Sequence, residues 1–308
     1  MRYASIDIGT NTILMLIGEI DGTGSIAPIK DFYSVPRVGK SVSATGMLDR
    51  ESISRATDIL RNYRKIADEY GVDRIFASAT SAVRDALNRD QFISAARDSC
   101  GIDVEIIPGE TEARLGFLGA VSGEPERSIR SLVIDIGGGS TEFSYGSGAE
   151  PSRFESINIG AVRLTEMFLR HSPPSDDDLR RAEEHIENEL KKFPFSEIEP
   201  ERVFAVAGTA TTIALIAQER YEFTPEAVNN YRMSSSALEE VFDLLRGKTP
   251  GEIRRLTEAA EGREDVILAG TLILKKALHS TDAREFLTTD RGLRYGYLLH
   301  KHMQLLGR

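Results

Sequence analysis

Two short segments of the chain combine an aspartate with a run of small residues whose backbone could hold an anion. The first is Asp7 with Gly9, Thr10 and Asn11, and the second is Asp135 with Gly137, Gly138, Gly139, Ser140 and Thr141. Glycine leaves the main chain free of a Cβ that would block a ligand, and consecutive N–H groups in such a turn form a concave nest for phosphate oxygens. These residue types therefore predict two phosphate-binding tips.

An aspartate beside each tip would repel the same phosphate oxygens that the tip binds. A divalent cation between carboxylate and phosphate removes this repulsion, so Asp7 and Asp135 predict a metal site. Glu142, on the strand that leaves the second tip, is a third candidate ligand, although at that position it could also face solvent. Magnesium usually takes one or two carboxylates plus substrate phosphates, so we expect Mg²⁺ to be bound jointly by these residues and the substrate.

The two segments belong to an internal duplication. Residues 3–20 return in altered form at residues 131–148, both copies contain the tetrapeptide IDIG, and Gly18 and Gly146 fall at matching offsets. Each copy reads as a strand, a tight polar turn and a second strand, which is a β-hairpin pattern. A single glycine-rich hairpin is usually only a structural turn, whereas two related copies predict two duplicated domains with a ligand clamped in the cleft between them.

Composition narrows the class of protein. The 308 residues are long enough for two domains, and the hydrophobic content of 41% with 28% charged residues is ordinary for a globular protein. The net charge of -10 disfavours general binding to nucleic acid or to an anionic membrane surface. The apolar stretch 266–274 is far shorter than the roughly 20 residues of a membrane span, no basic and apolar leader precedes the first strand, and Cys100 is the only cysteine. We therefore expect a cytoplasmic protein without disulfides.

The remaining sequence alternates strands with helices, which predicts an α/β fold. A long helix capped by Asp49 and ended by Gly71 belongs to the first predicted domain, residues 1–122. The polar stretch 122–128 suits a linker.

The second predicted domain, residues 128–298, repeats the plan with a strand near residues 154–159 and a helix over residues 250–257. The closing helix, about residues 299–308, is expected to pack on the first domain. Another strand of this domain runs into Gly208 and Thr209 at the start of a helix. Amides at a helix N-terminus bind anions readily, so these two residues are further candidates for phosphate binding. Thr209 could instead serve only as the helix N-cap.

Six segments in series resemble the exopolyphosphatase and guanosine pentaphosphate phosphatase family. They are IDIGTN, ATSAVRDALN, GETEARLGFLGA, VIDIGGGSTEF, AGTATTIA and GLRYGYL, and they cover essentially the whole chain. The resemblance places the chain in the superfamily of actin, sugar kinases and Hsp70 and implies two ribonuclease H-like domains with a cleft between them. Longer family members append a C-terminal helical domain, and this sequence resembles the short form.

The resemblance also implies two catalytic residues. Glu112, in GETEAR, matches the catalytic carboxylate of the family, and a glutamate beside the cleft can align and deprotonate a water for attack on a terminal phosphoryl group. Arg84, in SAVRDALN, matches an arginine that reaches the transferred phosphate, for which its planar donors are well suited. The alternatives are a helix N-terminal acid for Glu112 and a solvated ion pair with Asp85 or Asp90 for Arg84.

The implied activity is Mg²⁺-dependent hydrolysis of the terminal phosphoanhydride bond of inorganic polyphosphate, with release of orthophosphate. Guanosine pentaphosphate ends in a similar triphosphate-like group and is the alternative substrate. A kinase would share the two hairpins but would need a second substrate pocket, and an actin-like filament or nucleotide sensor is a third class. The predicted partners are therefore small polyphosphates, with no nucleic acid and no membrane; a homodimer is compatible with such a phosphatase, although no sequence feature measures it.

Overall fold

The structure, a computed structural model, describes residues 1–21, 24–40, 42–124, 126 and 128–307. Its first sheet has five strands among these residues. They are β1 Arg2–Ile8, β2 Ile13–Ile20, β3 Ile26–Ser34, β4 Arg74–Ala79 and β5 Val104–Ile106. The helices that follow them in the sequence are α1 Val42–Thr45, α2 Arg50–Glu69, α3 Ser81–Asp85, α4 Arg89–Cys100 and α5 Gly109–Val121. We call β1 to α5 the first lobe.

The second lobe is built on a six-stranded sheet. Its strands are β6 Ser131–Ile136, β7 Thr141–Ser147, β8 Glu150–Ile157, β9 Arg202–Val206, β10 Tyr231–Ser234 and β11 Glu285–Thr288. Its helices are α6 Ala161–Phe168, α7 Asp176–Leu190, α8 Ala207–Ala217, α9 Pro225–Val228, α10 Ser235–Arg246, α11 Pro250–Ile253 and α12 Ile267–His279, with short 3₁₀ turns at Phe195–Glu197 and Glu258–Ala260. The last helix of the chain is α13, Leu293–Leu305.

The two sheets confirm the predicted duplication. The first sheet has the strand order β3-β2-β1-β4-β5. The second has the order β10-β11-β9-β6-β7-β8, so that its strands β8, β7, β6, β9 and β11 repeat the order of the first sheet and β10 is added at the edge. In both lobes the second and third strands change register at the matched glycine, between Ile17 and Gly18 and between Tyr145 and Gly146. A Cβ on Gly146 would lie 2.7 Å from Pro151 Cα, so the close approach of the strands at this bulge requires glycine.

Local sequence signals account for the long helix α2. Asp49 accepts a hydrogen bond from the Ser52 N–H at 2.7 Å, as a helix N-cap does. Gly71, which follows the helix, has a φ of 63°, a left-handed conformation that glycine adopts without strain. Between these ends, Ala56, Leu60 and other residues at helical spacing are buried against the sheet.

Helix α13 joins the C-terminal end of the chain to the first lobe, as the sequence predicted. Tyr295, Leu298 and Leu299 pack with Tyr3 and Leu16 of the first sheet in one apolar cluster. The helix begins at Leu293, several residues before the predicted start at about residue 299. The domain boundaries 1–122 and 128–298 themselves stay a prediction, and Pro125 and Arg127 of the predicted linker lie outside the described residues.

Several predicted elements have different bounds in the structure. The helix predicted over residues 250–257 ends at Ile253, and a 3₁₀ turn follows at Glu258–Ala260. The strand predicted near residues 154–159 is β8, which begins at Glu150 because it extends the hairpin from β7. Helix α9 and strand β10 were not predicted, since four-residue elements carry too few positions to show a period.

No helix in the described ranges is long and apolar enough to cross a membrane.

The backbones of helices α5 and α13 lie unusually close together where the helices cross. A Cβ on Gly296 of α13 would overlap the carbonyl group of Leu115 in α5, and a Cβ on Gly119 would overlap the carbonyl group of Gly292. The two backbones can therefore touch only because glycine stands at the crossing. Since α5 carries Glu112 near its start, this crossing fixes the position of that side chain relative to both lobes.

We predict that Gly296→Ala lowers the free energy of unfolding by about 2 kcal/mol or more, because overpacking a rigid backbone contact is costly. In an isolated helix the same change would stabilise by about 1 kcal/mol, so the sign of the effect is informative. Urea unfolding of the purified variant measures it. Gly251→Ala, in helix α11, is the matched control: nothing lies within 4 Å of its Cβ position, so it should be neutral or stabilise by up to about 1 kcal/mol. A stabilised Gly296→Ala protein would contradict the close crossing.

Candidate active site

Each hairpin tip is a four-residue turn closed by one backbone hydrogen bond. Gly9 N–H donates to the Thr12 carbonyl at 2.9 Å, and Gly137 N–H donates to the Ser140 carbonyl at 3.0 Å. The two tips thus have the same geometry, as the duplicated sequence predicted. One correction follows, because Gly9 and Gly137 use their amides inside the turn and cannot offer them to a phosphate.

The neighbouring tip residues have their carbonyls occupied and their amides free. Thr10 and Gly138 carbonyls accept from the backbone amides of Gly39 and Val162, each at 2.8 Å. The N–H groups of Thr10, Asn11, Gly138 and Gly139 find no acceptor within the described part of the chain. This combination leaves donors available for an anion, as the nest prediction requires.

The two tips face each other across the cleft. A Cβ on Gly138 would lie 2.9 Å from Thr10 Cβ, and a Cβ on Gly139 would lie 2.9 Å from Thr10 Oγ1. Between them lies a cavity of about 100 Å³, and its walls include nine of the predicted phosphate-binding residues. They are Gly9, Thr10, Asn11, Gly137, Gly138, Gly139, Ser140, Gly208 and Thr209.

Thr141 does not lie at this cavity, so its predicted contact with phosphate is wrong for the side chain. It is fully buried as the first residue of β7, and its hydroxyl donates to the Ile159 carbonyl at 2.6 Å. The strand that leaves the tip turns this residue into the sheet, and its hydroxyl fastens the chain that precedes α6.

Three of the predicted carboxylates line the cavity. They are Asp7 at the end of β1, Asp135 at the matching position of β6, and Glu112 in the first turn of α5. Glu142 lies directly across the β6–β7 pair from Asp135, is 3% exposed, and accepts a hydrogen bond from Ser156 Oγ at 2.6 Å. The alternative of a solvent-facing Glu142 is therefore wrong.

Burial and mutual repulsion make these carboxylates hard to ionise. Burial, together with the charges of Glu112 and Asp135, raises the pKa of Asp7 to about 8. Burial and the charge of Glu112 raise the pKa of Asp135 to about 7. The pKa of Glu142 also lies well above its usual value, because burial and the charges of Glu112 and Asp135 outweigh the hydrogen bonds from Ser156 and Ser140.

The donor set fits a hard divalent cation. Asp7 Oδ1 is buried and has no hydrogen-bond partner among the described residues, so it is free to coordinate. Carboxylate oxygens are the ligands that Mg²⁺ prefers. No group of three or more His, Cys, Asp or Glu side chains within the described ranges has the arrangement of a complete protein-only metal site. Asp7, Asp135 and Glu142 therefore do not form a three-carboxylate metal site by themselves, and the binding of Mg²⁺ stays a prediction.

Arg84 contacts Glu112 directly. Its Nη1 donates to Glu112 Oε2 at 2.8 Å and to the Ile107 carbonyl at 3.1 Å. Burial raises the pKa of Glu112, whereas the charge and hydrogen bond of Arg84 oppose that rise. Arg84 is not among the residues that line the cavity, and its Nε also lies 4.0 Å from Asp85 Oδ1, so its contact with a phosphate stays a prediction. Glu112 lies in the first turn of α5, as the alternative of a helix N-terminal acid requires, but it is only 9% exposed and is paired with Arg84.

The start of α8 forms another wall of the cavity. Gly208 is its second residue, and a Cβ there would overlap the guanidinium group of Arg263, so glycine lets this arginine lie against the helix end. Thr209 is the third residue, and the N-cap position belongs to Val206. The interpretation of Thr209 as the N-cap is therefore wrong, because the helix starts three residues earlier than that interpretation requires.

Sequence reasoning missed several cavity residues. Thr80, Ser81, Arg263 and Asp290 line the cavity, although none of them had a predicted role; Thr80 and Ser81 lie in the segment ATSAVRDALN, which was the available signal. Arg263 lies after a turn whose sequence matches none of the quoted motifs. Lys275 pairs with Glu239, and Lys276 with Glu183 and Glu187, outside the cleft.

Arg294, near the start of α13, also lines the cavity. Its guanidinium group pairs with Asp31 at 2.8 Å and with Asp290 at 3.4 Å. A second, larger cavity of about 730 Å³ adjoins the first and shares Gly208, Arg263 and Arg294 with it. The larger cavity also has aromatic walls from Phe32, Tyr33 and Phe223.

Two duplicated lobes that press glycine-rich tips together beside buried carboxylates define a phosphate-handling enzyme of the ribonuclease H-like, actin-like class. Comparison with known proteins agrees. The model of the Ppx/GppA phosphatase family matches residues 19–304. Exopolyphosphatase 2 of Mycobacterium tuberculosis is 33% identical over 89% of this chain and 89% of its own length.

Two further proteins resemble the chain. The crystal structure of the Ppx/GppA family member of Aquifex aeolicus is 32% identical, with a TM-score of 0.82 over 99% of this chain and 98% of the other. A bifunctional 3-dehydroquinate synthase/phosphatase of Fusobacterium nucleatum is 33% identical over 89% of this chain, which spans 43% of that longer protein. The chain belongs to the Ppx/GppA phosphatase family. It is a phosphoanhydride hydrolase, and the predicted fold class of two ribonuclease H-like domains is confirmed.

The raised carboxylate pKa values predict how the stability of the metal-free protein depends on pH. Asp7 and Asp135 keep their protons in the folded state up to about pH 8 and 7, whereas in the unfolded chain they lose them near the ordinary value of 3.8. The folded state therefore binds more protons in this window, and stability falls as pH rises from about 5 to 8.

Calorimetry in the presence of a chelator measures this dependence as a melting temperature at each pH. Asp135→Asn should flatten the fall, because an amide has no proton to lose. Asp103→Asn, at a side chain that is 83% exposed, is the control and should leave the fall unchanged. A wild-type melting temperature that rises from pH 5 to 8 would contradict the assigned burial of these charges.

Proposed function

We propose that this protein is an exopolyphosphatase that hydrolyses the terminal phosphoanhydride bond of inorganic polyphosphate and releases orthophosphate. The observation that carries the proposal is that two opposed amide tips and the buried carboxylate of Glu112 line one cavity. Such a site holds the end of a polyanion and brings one acid to the phosphorus that is attacked. The exopolyphosphatase that the chain resembles supports the same substrate class.

Guanosine pentaphosphate is the second candidate substrate. The adjoining cavity of about 730 Å³ has room for a nucleoside, and its aromatic walls suit a base. A polyphosphate chain could follow the same path past Arg263 and Arg294. Both substrates present the same terminal group to the small cavity, so one catalytic centre serves either.

Each group of residues at the site has its own role in the proposed hydrolysis. The free amides of Thr10, Asn11, Gly138 and Gly139 bind the oxygens of the terminal phosphoryl group. Glu112 accepts a proton from the attacking water, and Arg84 holds its carboxylate in place and favours its ionised form. The wall of α8, with Gly208 and Thr209, supports the next phosphates. Positioning and charge stabilisation supply most of the acceleration, and no covalent intermediate is required.

Asp7, Asp135 and Glu142 would bind Mg²⁺ together with the substrate. When bound, the cation would neutralise the carboxylates and draw negative charge from the phosphate oxygens. Asp7 and Asp135 come from different lobes, so the cation would be bound by both lobes. A hydrogen bond from Ser156 keeps the Glu142 carboxylate in place. The homodimer, the cytoplasmic location and the absence of nucleic-acid partners stay predictions.

Glu112→Gln should lower the turnover number at least about a hundredfold with polyphosphate and with guanosine pentaphosphate, because the amide cannot accept the proton of water. Phosphate release measures the rate. Glu110→Gln is the matched control: Glu110 lies in the same first helical turn but is exposed, so its rate should stay within about twofold. Near-normal turnover by Glu112→Gln would refute the assigned base.

Magnesium should bind weakly to the protein alone and more tightly with tripolyphosphate present, because protein side chains supply only part of its coordination shell. Electron paramagnetic resonance of added Mn²⁺ measures the bound fraction directly. Asp135→Asn should reduce that fraction about tenfold, whereas Asp176→Asn, in an exposed acidic run, should not change it. Equal Mn²⁺ binding by wild type and Asp135→Asn would remove Asp135 from the metal site.

A further inference from the structure

Three side-chain atoms in the wall of the small cavity are buried without a hydrogen-bond partner in the described part of the chain. They are Asp7 Oδ1, Ser81 Oγ and Asp290 Oδ1. The two carboxylate oxygens suit a cation. The Ser81 hydroxyl differs from them in kind, because it is neutral and can donate a hydrogen bond.

Ser81 is held deep in the site. Its residue is 2% exposed, and it is the first residue of α3, one turn before Arg84. Burying a hydroxyl without a partner costs free energy, and native proteins rarely keep such a group without a use. Thr80 and Glu112, its neighbours in the cavity wall, do not bond to it.

The second tip, at Gly139, lies very close to this hydroxyl. A Cβ on Gly139 would overlap Ser81 Oγ, so only glycine allows the second tip to approach Ser81 this closely. The hydroxyl therefore lies where the first lobe meets the free amide of Gly139. A group bound by that amide is within reach of the hydroxyl as well.

We propose that the Ser81 hydroxyl donates a hydrogen bond to a non-bridging oxygen of the terminal phosphoryl group, opposite the Gly138–Gly139 amides. The proposal rests on the proposed function, since it names a further substrate contact in that site. The hydroxyl adds a donor without adding charge, and it completes the binding of the phosphoryl group from the side of the first lobe. The bond transfers no atom, and the proton stays on the serine.

The chain supplies a matched control in Ser5. Its Oγ is also fully buried and without a partner in the described residues, but it lies within β1 and outside the cavity wall. Ser5→Ala and Ser81→Ala therefore remove the same unpaired hydroxyl from two buried positions. Only the second should affect the handling of phosphate.

The experiment compares kcat/KM for polyphosphate, the melting temperature without substrate, and tripolyphosphate affinity by calorimetry in a Glu112→Gln background. Ser81→Ala should lower kcat/KM and affinity about ten- to a hundredfold, the size expected for a hydrogen bond to a charged group. Its melting temperature should equal or exceed that of the wild type, because no protein hydrogen bond is lost. Ser5→Ala should share the unchanged or higher melting temperature and keep wild-type activity and affinity.

Two results would overturn the proposal. One is wild-type kcat/KM and affinity in Ser81→Ala. The other is a clear drop in its melting temperature, which would show that the hydroxyl has a structural partner. If the wild-type protein hydrolyses neither polyphosphate nor guanosine pentaphosphate, the proposed function fails, and the tripolyphosphate affinities still decide whether Ser81 contacts phosphate.

Discussion

The repulsion among buried carboxylates is the constraint on which the site depends. Asp7, Glu112 and Asp135 share one small cavity, Glu142 lies beside Asp135, and only Arg84 forms an ion pair with any of them among the described residues. In water such charges would separate, but the fold keeps them together and out of solvent. The resulting rise in pKa means that these carboxylates favour added positive charge, which a divalent cation with its phosphate ligand would also supply.

The duplicated fold supplies the rigidity that holds this charge cluster. Each lobe contributes one hairpin tip with an aspartate at the same position, and the two tips meet through contacts that only glycine allows. Helix α5 brings Glu112 to the cavity between the tips. The close crossing of α5 with α13 at Gly119 and Gly296 leaves helix α5 little freedom to move. Binding and catalytic groups thus come from three separate segments, and the backbone rather than long side chains sets their spacing.

Sequence alone predicted the fold class, the paired tips and the acids around them, because those features repeat and lie within a few residues of each other. It failed where position depends on distant segments. Strand pairing determines that the Gly9 amide bonds within its own turn and that Thr141 is buried in the sheet. The exact start of α8 determines that Thr209 lies inside the helix. Arg263 reaches the cavity through tertiary packing and no local pattern marked it, whereas Ser81 lies in the segment ATSAVRDALN but had no predicted role of its own.

The most direct test of the central claim is a crystal structure of the Glu112→Gln protein with tripolyphosphate and Mn²⁺, using the anomalous signal of manganese to locate the cation. The account predicts a terminal phosphate bound by the amides of Thr10 to Asn11 and Gly138 to Gly139, with a manganese peak between that phosphate and the carboxylates of Asp7 and Asp135. A phosphate bound away from both tips, or a manganese peak remote from these aspartates, would contradict it.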